Sequence, residues 1–422
     1  MDRRTGVFDE RETLDDAARA HHADALVRET VEVCWERSPF YKARLEQAGL
    51  KPADVRGLDD LGRIPVTTKA DAQASMAGLG TFPLHEAKRI FVSPGPHFYA
   101  SQRRADPAPQ RGRTPLALAF HAMGFRENDI VLNAFSYHLS PGGFGLEDQL
   151  NAAGCAVVPA GPQNTEVQAE ILAKLPVTGY VGTPTFLRLL CDKAREMNVE
   201  PRDAWTLEVA FVTAEKLTED ARAELEERTG AMVRQVYGSA DGLLPAYECW
   251  ANTGMHLHPD QVLEVLDPQT REPVATGEPG EVVATLPNPN RPLLRFANGD
   301  LVVLRDDPCP CGRTGARIAR IAGRVGEATK VRGMFVYPEQ LASVVERIPS
   351  AQRWRALVRK SAAGTDEFVV EIEVSDPAAP HLAATIALQI REAIRVRPDV
   401  VLVPAGTIPA DGKRIDDQRS YA

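Results

Sequence analysis

Four residues in the second half of the chain combine side chains that bind zinc. Cys309-Pro310-Cys311-Gly312 puts two thiols one residue apart in a turn, and Cys249 lies seven positions before His256. Three thiolates and one imidazole form closed, tetrahedral zinc sites. The spacing fits such a site, and it also fits buried free thiols. His258 is a rival to His256, because residues two apart in a strand share a face.

The other cysteines and the N-terminal sequence indicate a cellular location. The first sixteen residues are polar and contain no apolar signal segment. Six cysteines in 422 residues do not make a disulfide scaffold. Cys34, Cys155 and Cys191 lie in apolar segments, so we expect them in the core. Because no run approaches about 18 apolar residues, we expect a cytoplasmic protein with no membrane partner.

The overall charge excludes one class of partner. The net charge is −9, which argues against a protein that neutralises nucleic-acid phosphates. A hydrophobic content of 44% in a chain of this length allows a large core and two or three domains. The composition therefore suits an enzyme that acts on small molecules.

The elements that must position these residues alternate between strand and helix. Short apolar runs recur about every 25 residues from residue 89 onward, which predicts βαβ units and a parallel sheet. The predicted buried strands are 89–93, 129–135, 155–161, 179–184, 207–214 and 232–238. Helices at 165–175 and 218–230, the latter closed by Gly230, lie between them. Ligands of such sheets bind at the carboxyl ends of the strands.

Both flanks of this region have a different pattern. Residues 15–37 and a segment ending before Gly49 are predicted helices, and Thr67-Thr68 could cap another. Residues 260–304 are rich in turn pairs and predict a β-rich subdomain. After Gly323-Arg324 two helices and two strands form a compact tail. We therefore predict an α/β protein with a large N-terminal domain of mostly parallel sheets flanked by helices (1–322) and a small α+β domain (323–422).

Several short segments follow an order that resembles the adenylate-forming enzymes. Residues 237–241 (YGSAD) resemble the YG-x-[TS]-E loop of that superfamily, and 295–300 (RFANGD) resemble its Y-R-T-G-D segment. Residues 323–338 resemble the hinge between the domains, and 406–413 resemble the loop with a mobile lysine. The N-terminal segments 38–41 (SPFY) and 65–69 (PVTTK) resemble phenylacetate–CoA ligases. The resemblance covers nearly the whole chain and implies a mobile small domain.

This resemblance implies an acid–CoA ligase that uses ATP, Mg²⁺ and CoA on a small, aryl carboxylic acid. Lys413 would be the mobile lysine, whose charge favours the attack of a carboxylate on ATP. Asp300 would bind the ribose hydroxyls, and Arg324 would contact ribose or phosphate. From the residues alone, Lys413 is equally a solvated lysine and Asn298-Gly299-Asp300 equally a turn. Asp241, in the place of the family's glutamate, would bind Mg²⁺.

The remaining site residues are implied in the same way. Further nucleotide contacts would be Ser93, Gly95, Ala214, Glu215, Tyr237, Gly238 and Ser239. The acyl pocket would contain Tyr137, Gly143, Phe144 and Thr213, although an aromatic cluster is also ordinary core. Some relatives carry the same cysteine and histidine pattern as a structural zinc site, which would join two loops without taking part in catalysis. Related enzymes commonly form homodimers, and we expect one here.

One segment departs from the family pattern. After its first strand the family has a loop rich in Ser, Thr and Gly that ends in Lys-Pro, whereas residues 93–99 read SPGPHFY. Two prolines remove two amide donors from a phosphate-binding loop. Arg103, Arg104 and Arg111 could replace the lost charge or could face water. Three functions therefore stay open: an acid–CoA ligase, an adenylating enzyme that loads a carrier protein, and a non-catalytic protein that binds nucleotide, CoA or aryl acid.

Overall fold

The computed structural model describes most of the chain, in two compact units. The described residues are 2–4, 6–74, 80–93, 97–100, 102–106, 116–215, 217–238, 246–325, 329–331, 334–360, 366–375, 377, 380–409 and 413–418. One unit contains residues up to 298 together with 303–320, and the other contains 299–302 together with the residues from 321 onward. We describe each unit by itself.

The helices and strands of the described residues are numbered along the chain. Helices α1 to α11 are Asp16–Arg37, Pro39–Gln47, Lys69–Ala74, Ala117–Met123, Gly142–Ala152, Thr165–Lys174, Pro184–Glu196, Pro201–Ala204, Glu219–Thr229, Pro338–Val345 and Pro380–Ile394. Strands β1 to β20 are Thr67–Thr68, Ile90–Ser93, His97–Ala100, Ile130–Asn133, Ala156–Pro159, Gly179–Gly182, Val209–Val212, Met232–Tyr237, Ala246–Glu248, Met255–Leu257, Val262–Leu266, Pro279–Leu286, Leu293–Arg305, Arg317–Arg324, Thr329–Val331, Met334–Val336, Ala351–Lys360, Asp366–Val374, Asp399–Pro404 and Ile415–Asp417. Short 3₁₀ turns lie at Glu10–Thr13, Pro52–Asp54, Leu58–Arg63 and Leu84–Glu86.

Parallel strands form the centre of the large unit. They lie in the order β5-β4-β6-β7-β8, and each neighbouring pair is parallel. Strand β7 is buried on both faces: Val209 and Phe211 belong to one hydrophobic cluster, and Ala210 and Val212 belong to another. Alternating side chains thus fill two cores, as expected for a parallel sheet covered on both faces. The predicted α/β architecture is confirmed.

Beyond β8 the same sheet continues with antiparallel strands. Strand β9 pairs antiparallel with β8 and with β10, and the path continues through β14, β13, β12 and β11. The segment predicted to be β-rich, residues 260–304, provides β11 and β12 and most of β13. The strands of this segment are therefore hydrogen-bonded into the same sheet as the parallel strands.

The prediction for residues 89–93 was wrong in one respect. Strand β2 was expected in the parallel sheet, but it pairs antiparallel with β3, from Ile90 opposite Ala100 to Ser93 opposite His97. Ile90 is 47% exposed. Only residues 94–96 separate the two strands, and a parallel pair needs a crossover of about a dozen residues or more. The short connection therefore selects a hairpin.

Side chains in the sequence set several helix ends. The Thr68 hydroxyl accepts a hydrogen bond from the Asp71 amide (3.2 Å), and the Asp71 carboxylate accepts one from the Thr68 amide (2.8 Å). This reciprocal cap starts α3, as predicted. Helix α9 ends at Gly230, whose φ of 75° lets its amide reach the Glu226 carbonyl.

The small unit has its own sheet and core. Strands β17 and β18 are antiparallel, β19 is parallel to β18, and β20 is parallel to β17. Its core includes Trp354, Phe368, Ile372, Ile386 and Ile390. The predicted α+β tail has this form, and the domain boundary at residue 322 stays a prediction. Among the described helices, none combines the length and apolar character that a membrane crossing requires.

Candidate functional site

The carboxyl ends of β7 and β8 bring two predicted contact residues together. Thr213 directly follows β7, and Tyr237 ends β8. The Thr213 hydroxyl donates a hydrogen bond to the Val236 carbonyl at 2.8 Å, which joins the two strand ends. Gly238 comes next in the chain. This edge is where an open parallel sheet binds its ligands.

The turn after β7 has an unusual backbone. Ala214 has φ = 71°, a region that residues with a Cβ rarely adopt and that costs about 1–3 kcal/mol. The Glu215 carboxylate accepts a hydrogen bond from the Thr185 amide at the start of α7 (3.2 Å), and the Glu215 carbonyl accepts one from the Gln235 side chain (3.3 Å). Glu215 therefore fixes the strained turn from both its side chain and its backbone.

Tyr237 is held from the opposite side by a residue that the sequence analysis did not select. The Asn298 side-chain amide donates a hydrogen bond to the Tyr237 hydroxyl at 2.7 Å, and both side chains are buried. Asn298 stands two positions before Asp300, where the family segment has a threonine. That substitution was the available signal.

The two residues predicted to hold the ribose contact each other in the small unit. Arg324 Nε donates to Asp300 Oδ1 at 2.8 Å. Gly299 precedes Asp300 with φ = 85°, and its carbonyl accepts a hydrogen bond from the Val325 amide (2.7 Å). The turn and the end of β14 are thus fastened together, and the Arg324 side chain is 55% exposed while Asp300 is 16% exposed.

Lys413 is exposed, and it lies two residues before β20. The next residue is fixed: the Arg414 carbonyl accepts from the Ala356 amide (2.8 Å), and its guanidinium lies 5.0 Å above the Trp354 ring. The preceding loop is held by Glu373, whose carboxylate accepts from the Ile408 amide (2.6 Å). This backbone hydrogen bond lowers the pKa of Glu373. Lys413 therefore extends into water from a segment anchored before and after it.

The predicted acyl-pocket residues Tyr137, Gly143 and Phe144 lie together. The Tyr137 and Phe144 rings meet edge to face with centroids 5.2 Å apart. A Cβ at Gly143 would lie 2.6 Å from the Ser136 carbonyl oxygen, so only glycine fits there. The Tyr137 hydroxyl accepts from the Asn133 side chain (2.9 Å), and burial, followed by a hydrogen bond to Glu147, raises the pKa of Tyr137. The hydroxyl is thus engaged within the protein.

A cavity opens beside Tyr137 at the carboxyl ends of β4 and β5. Its volume is about 570 Å³, and it is lined by residues 136–138 and 159–164. Small-molecule pockets commonly enclose about 300–1,000 Å³. Gln168 holds one wall, because its side-chain amide donates to the Gly161 carbonyl (2.8 Å).

Some predicted residues cannot be placed. Gly95, Ser239 and Asp241 lie outside the described residues, as does Arg111, and for Ser93 only the backbone at the end of β2 is described. Arg103 forms an ion pair with Glu86 at 2.5 Å, and Arg104 donates to the His85 carbonyl. These two arginines therefore bind the turn that precedes β2.

The four predicted metal ligands form one cluster. One ligand atom from each of Cys249, His256, Cys309 and Cys311 lies within 4.8 Å of all the others. Cys249 Sγ is 3.7 Å from Cys309 Sγ, and Cys311 Sγ is 3.4 Å from His256 Nε2. Ligands about 2.0–2.3 Å from a tetrahedral zinc ion are separated by similar distances. The donor set therefore fits zinc.

His258 is not part of the cluster. Its Nδ1 accepts a hydrogen bond from the Asp260 amide at 3.1 Å. Strand β10 ends at Leu257, so His258 lies beyond the strand, while His256 within it reaches the cysteines. A hydrogen bond from Cys249 lowers the pKa of the Cys311 thiol to about 2, while the same bond raises that of Cys249. Cys311 is the group in this cluster that most readily carries negative charge, as a metal ligand requires.

Comparison with known proteins places these features in a wider context. A family model described as AMP-binding enzyme matches residues 117–289, and one described as AMP-binding enzyme C-terminal domain matches residues 333–419. The phenylacetate-coenzyme A ligase of Thermus thermophilus is 33% identical over an alignment of 429 positions. The alignment covers 95% of this chain and 96% of that protein. The protein of the same name from Escherichia coli is 26% identical and covers 93% of both.

Solved structures show the same fold. A crystal structure of 2-hydroxyisobutyryl-CoA ligase in an open conformation, in complex with 2-HIB-AMP and CoA, matches with a TM-score of 0.85 at 23% identity. The match covers 96% of this chain and 93% of that one. At this identity the likeness concerns the fold, and it confirms the predicted fold class.

Proposed function

This chain belongs to the phenylacetate–CoA ligase family of AMP-binding enzymes, and we propose that it activates a small carboxylic acid with ATP and transfers the acyl group to coenzyme A. A carboxylate oxygen attacks the α-phosphorus of ATP, and pyrophosphate leaves. The CoA thiol, losing its proton, then attacks the acyl carbon, and AMP leaves. The observation that carries the proposal is 33% identity to a phenylacetate-coenzyme A ligase over 95% of this chain, across both units.

The proposed nucleotide contacts of the large unit follow β7 and end β8, and those of the small unit are Asp300 and Arg324. Asp300 accepts the ribose hydroxyls, and Arg324, already 2.8 Å from that carboxylate, keeps it oriented. Tyr237 presents its ring to the adenine while Asn298 fixes its hydroxyl. The strained turn at Ala214 and Glu215 lines the same end of the sheet. Gly238, which follows β8, and Ser239 are further proposed nucleotide contacts.

Charge on the phosphates would be balanced by a lysine and a metal ion. Lys413 supplies positive charge to the transition state of adenylation, where anions approach each other. Mg²⁺ favours oxygen ligands, and Asp241 is the carboxylate in the family's position. Ser93 and Gly95 are the proposed phosphate contacts of the divergent loop.

The acid would be small and aromatic. Tyr137 lines the cavity with its hydroxyl engaged by Asn133, and Phe144 meets its ring edge to face while Arg89 lies 4.7 Å above the Phe144 ring. The Tyr137 ring is therefore the aromatic surface proposed to meet the acid. Aromatic rings prefer edge-to-face and offset contacts. Gly143 keeps the backbone close, and Thr213 is the contact proposed at the end of β7. Thioester formation from a panel of aryl and alkyl acids, followed by mass spectrometry, tests this preference, and a higher kcat/KM for alkyl acids would contradict it.

We also propose a structural zinc ion at Cys249, His256, Cys309 and Cys311. Four protein ligands leave no open position, so the ion would join the loop after β9 to the loop after β13 without entering the reaction. A homodimer remains a proposal from the family resemblance, and a cytoplasmic location remains a proposal from the cysteine content and the apolar pattern of the sequence.

The two alternative functions differ from the ligase in a measurable way. An enzyme that loads a carrier protein forms the acyl adenylate but makes no CoA thioester. A binding protein forms neither product. Assaying adenylate and thioester separately with the same acids therefore distinguishes the three functions.

A further inference from the structure

An ion pair near the proposed zinc site is almost fully removed from water. Arg313 Nε donates to Glu12 Oε1 at 2.5 Å, and the two side chains are 1% and 0% exposed. The same carboxylate accepts from the Tyr247 hydroxyl at 3.0 Å and from the backbone amides of Phe8 and Asp9 at 2.7 and 3.3 Å. Removing a partner from such a pair leaves an uncompensated buried charge, which strongly destabilises the fold.

These partners are directly linked to the metal ligands. Arg313 follows Cys311 by two residues, and its amide donates to Cys311 Sγ at 3.5 Å. Tyr247 lies opposite His256 in the β9–β10 pairing, with the two ring centroids 6.2 Å apart. Glu12 therefore bonds both Arg313, whose amide contacts Cys311, and Tyr247, which lies opposite His256.

Backbone contacts fasten the same N-terminal segment to the loop of Cys309 and Cys311. The Thr314 amide donates to the Glu12 carbonyl at 3.0 Å, and the Thr314 hydroxyl donates to the Leu14 carbonyl at 2.7 Å. The 3₁₀ turn at Glu10–Thr13 is capped by Asp9, whose carboxylate accepts from the Arg11 amide. Residues 8–14 therefore have a defined shape that fits this loop.

We propose that residues 8–14 form a clamp on the zinc site, with Glu12 as its positioning residue. The proposal rests on the zinc ion proposed above. The ion fixes Cys311 and so the backbone that places the Arg313 guanidinium, while Glu12 holds that guanidinium and the Tyr247 hydroxyl. Zinc binding orders the Arg313 backbone that Glu12 needs, and docking of residues 8–14 orders the loop that binds zinc. The two therefore stabilise each other by the same free energy.

Hydrogen–deuterium exchange on the full chain tests the coupling. Zinc removal by a chelator is expected to speed exchange in the peptide that contains residues 8–14, since the Phe8 and Asp9 amides lose their acceptor. Glu12→Gln is expected to release zinc to a chromogenic chelator about tenfold faster. Glu10→Gln is the matched control, because Glu10 lies in the same turn and is exposed. It should release zinc at the wild-type rate.

Each outcome decides the proposal. The clamp would be overturned if Glu12→Gln released zinc at the wild-type rate. It would also be overturned if the rate of hydrogen–deuterium exchange in residues 8–14 did not change when zinc is removed. Tyr247→Phe removes one hydrogen bond to Glu12 and should give a smaller acceleration, which keeps the test valid if Glu12→Gln does not fold. A wild-type protein that holds no zinc overturns the clamp and the metal site together. The ligase function is unaffected by that result, because pyrophosphate exchange measures it separately.

Discussion

Arg324 Nε lies 2.8 Å from Asp300 Oδ1, although 24 residues separate them in the chain. Asp300 follows Gly299 in its turn, and Arg324 is the last residue of β14. The pairing orients the Asp300 carboxylate before any nucleotide arrives. The contact thus joins two residues that the sequence analysis proposed separately for the same ribose.

Removing the Asp300 charge is expected to weaken ATP use. Asp300→Asn keeps the shape but halves the acceptor capacity for the ribose hydroxyls and releases Arg324. Hydrogen bonds to charged groups are worth about 1.5–3 kcal/mol, so kcat/KM for ATP should fall roughly 10- to 100-fold. Steady-state kinetics with varied ATP measures this effect. Asp306→Asn, at an exposed position six residues later, is the control and should retain wild-type kinetics. Unchanged ATP kinetics in Asp300→Asn would remove the assigned role.

The Asn298–Tyr237 bond predicts coupled effects in a pair of variants. Asn298→Ala leaves a buried hydroxyl without its 2.7 Å partner, which should lower the free energy of unfolding by about 1–3 kcal/mol and raise KM for ATP. Tyr237→Phe removes the other partner. Chemical denaturation of the two single variants and the double variant gives the coupling. Strictly additive losses would show that Asn298 does not position Tyr237.

The cysteine cluster predicts one zinc ion per chain and a choice between two histidines. His256→Ala should lose the ion and lower the melting temperature, because His256 Nε2 is 3.4 Å from Cys311 Sγ. His258→Ala is the matched control, since that ring bonds the Asp260 amide. Metal analysis after gel filtration and thermal unfolding measure both variants. Zinc retained by His256→Ala and lost by His258→Ala would reverse the assignment.

The loop before Lys413 predicts a pH dependence carried by Glu373. Its pKa is lowered in the folded protein by the Ile408 amide, so its stabilising contribution is present above the usual value of 4.5 and is lost as pH falls through the folded pKa. Wild type should therefore be more stable than Glu373→Gln near neutral pH, and the difference should shrink below pH 4.5. Denaturation at several pH values tests this, with the exposed Glu346→Gln as control. A difference that grows in acid would contradict it.

Much of the fold follows from local patterns in the sequence. The apolar runs that became β4 to β8 are long enough, and far enough apart, to fix a parallel sheet, and Gly230 and Thr68 mark helix ends by their own chemistry. The hairpin of β2 and β3 was missed because the family pattern predicts a loop, and not a strand, over residues 97–99. Local family motifs also led to the prediction of Asp300 and Arg324, which the structure brings into contact.

Contacts between distant residues account for the rest. Glu12 and Arg313 are 301 positions apart, and nothing in either local sequence indicates a buried ion pair. Asn298 differs from the family's threonine in sequence, but its role became visible only through its 2.7 Å contact with Tyr237. The choice between His256 and His258 required the structure, because periodicity puts both on one strand face, whereas β10 ends at Leu257 and leaves His258 beyond it.

ATP–pyrophosphate exchange is the most direct test of the proposed ligase. With an aryl acid, ATP and Mg²⁺ but no CoA, the wild-type protein should move labelled pyrophosphate into ATP, because adenylation is reversible. Lys413→Ala should lose this exchange, while Lys174→Ala, on an exposed lysine of the large unit, should keep it. No exchange by wild type with any acid, together with no ATP binding by calorimetry, would contradict the assignment as an acid–CoA ligase.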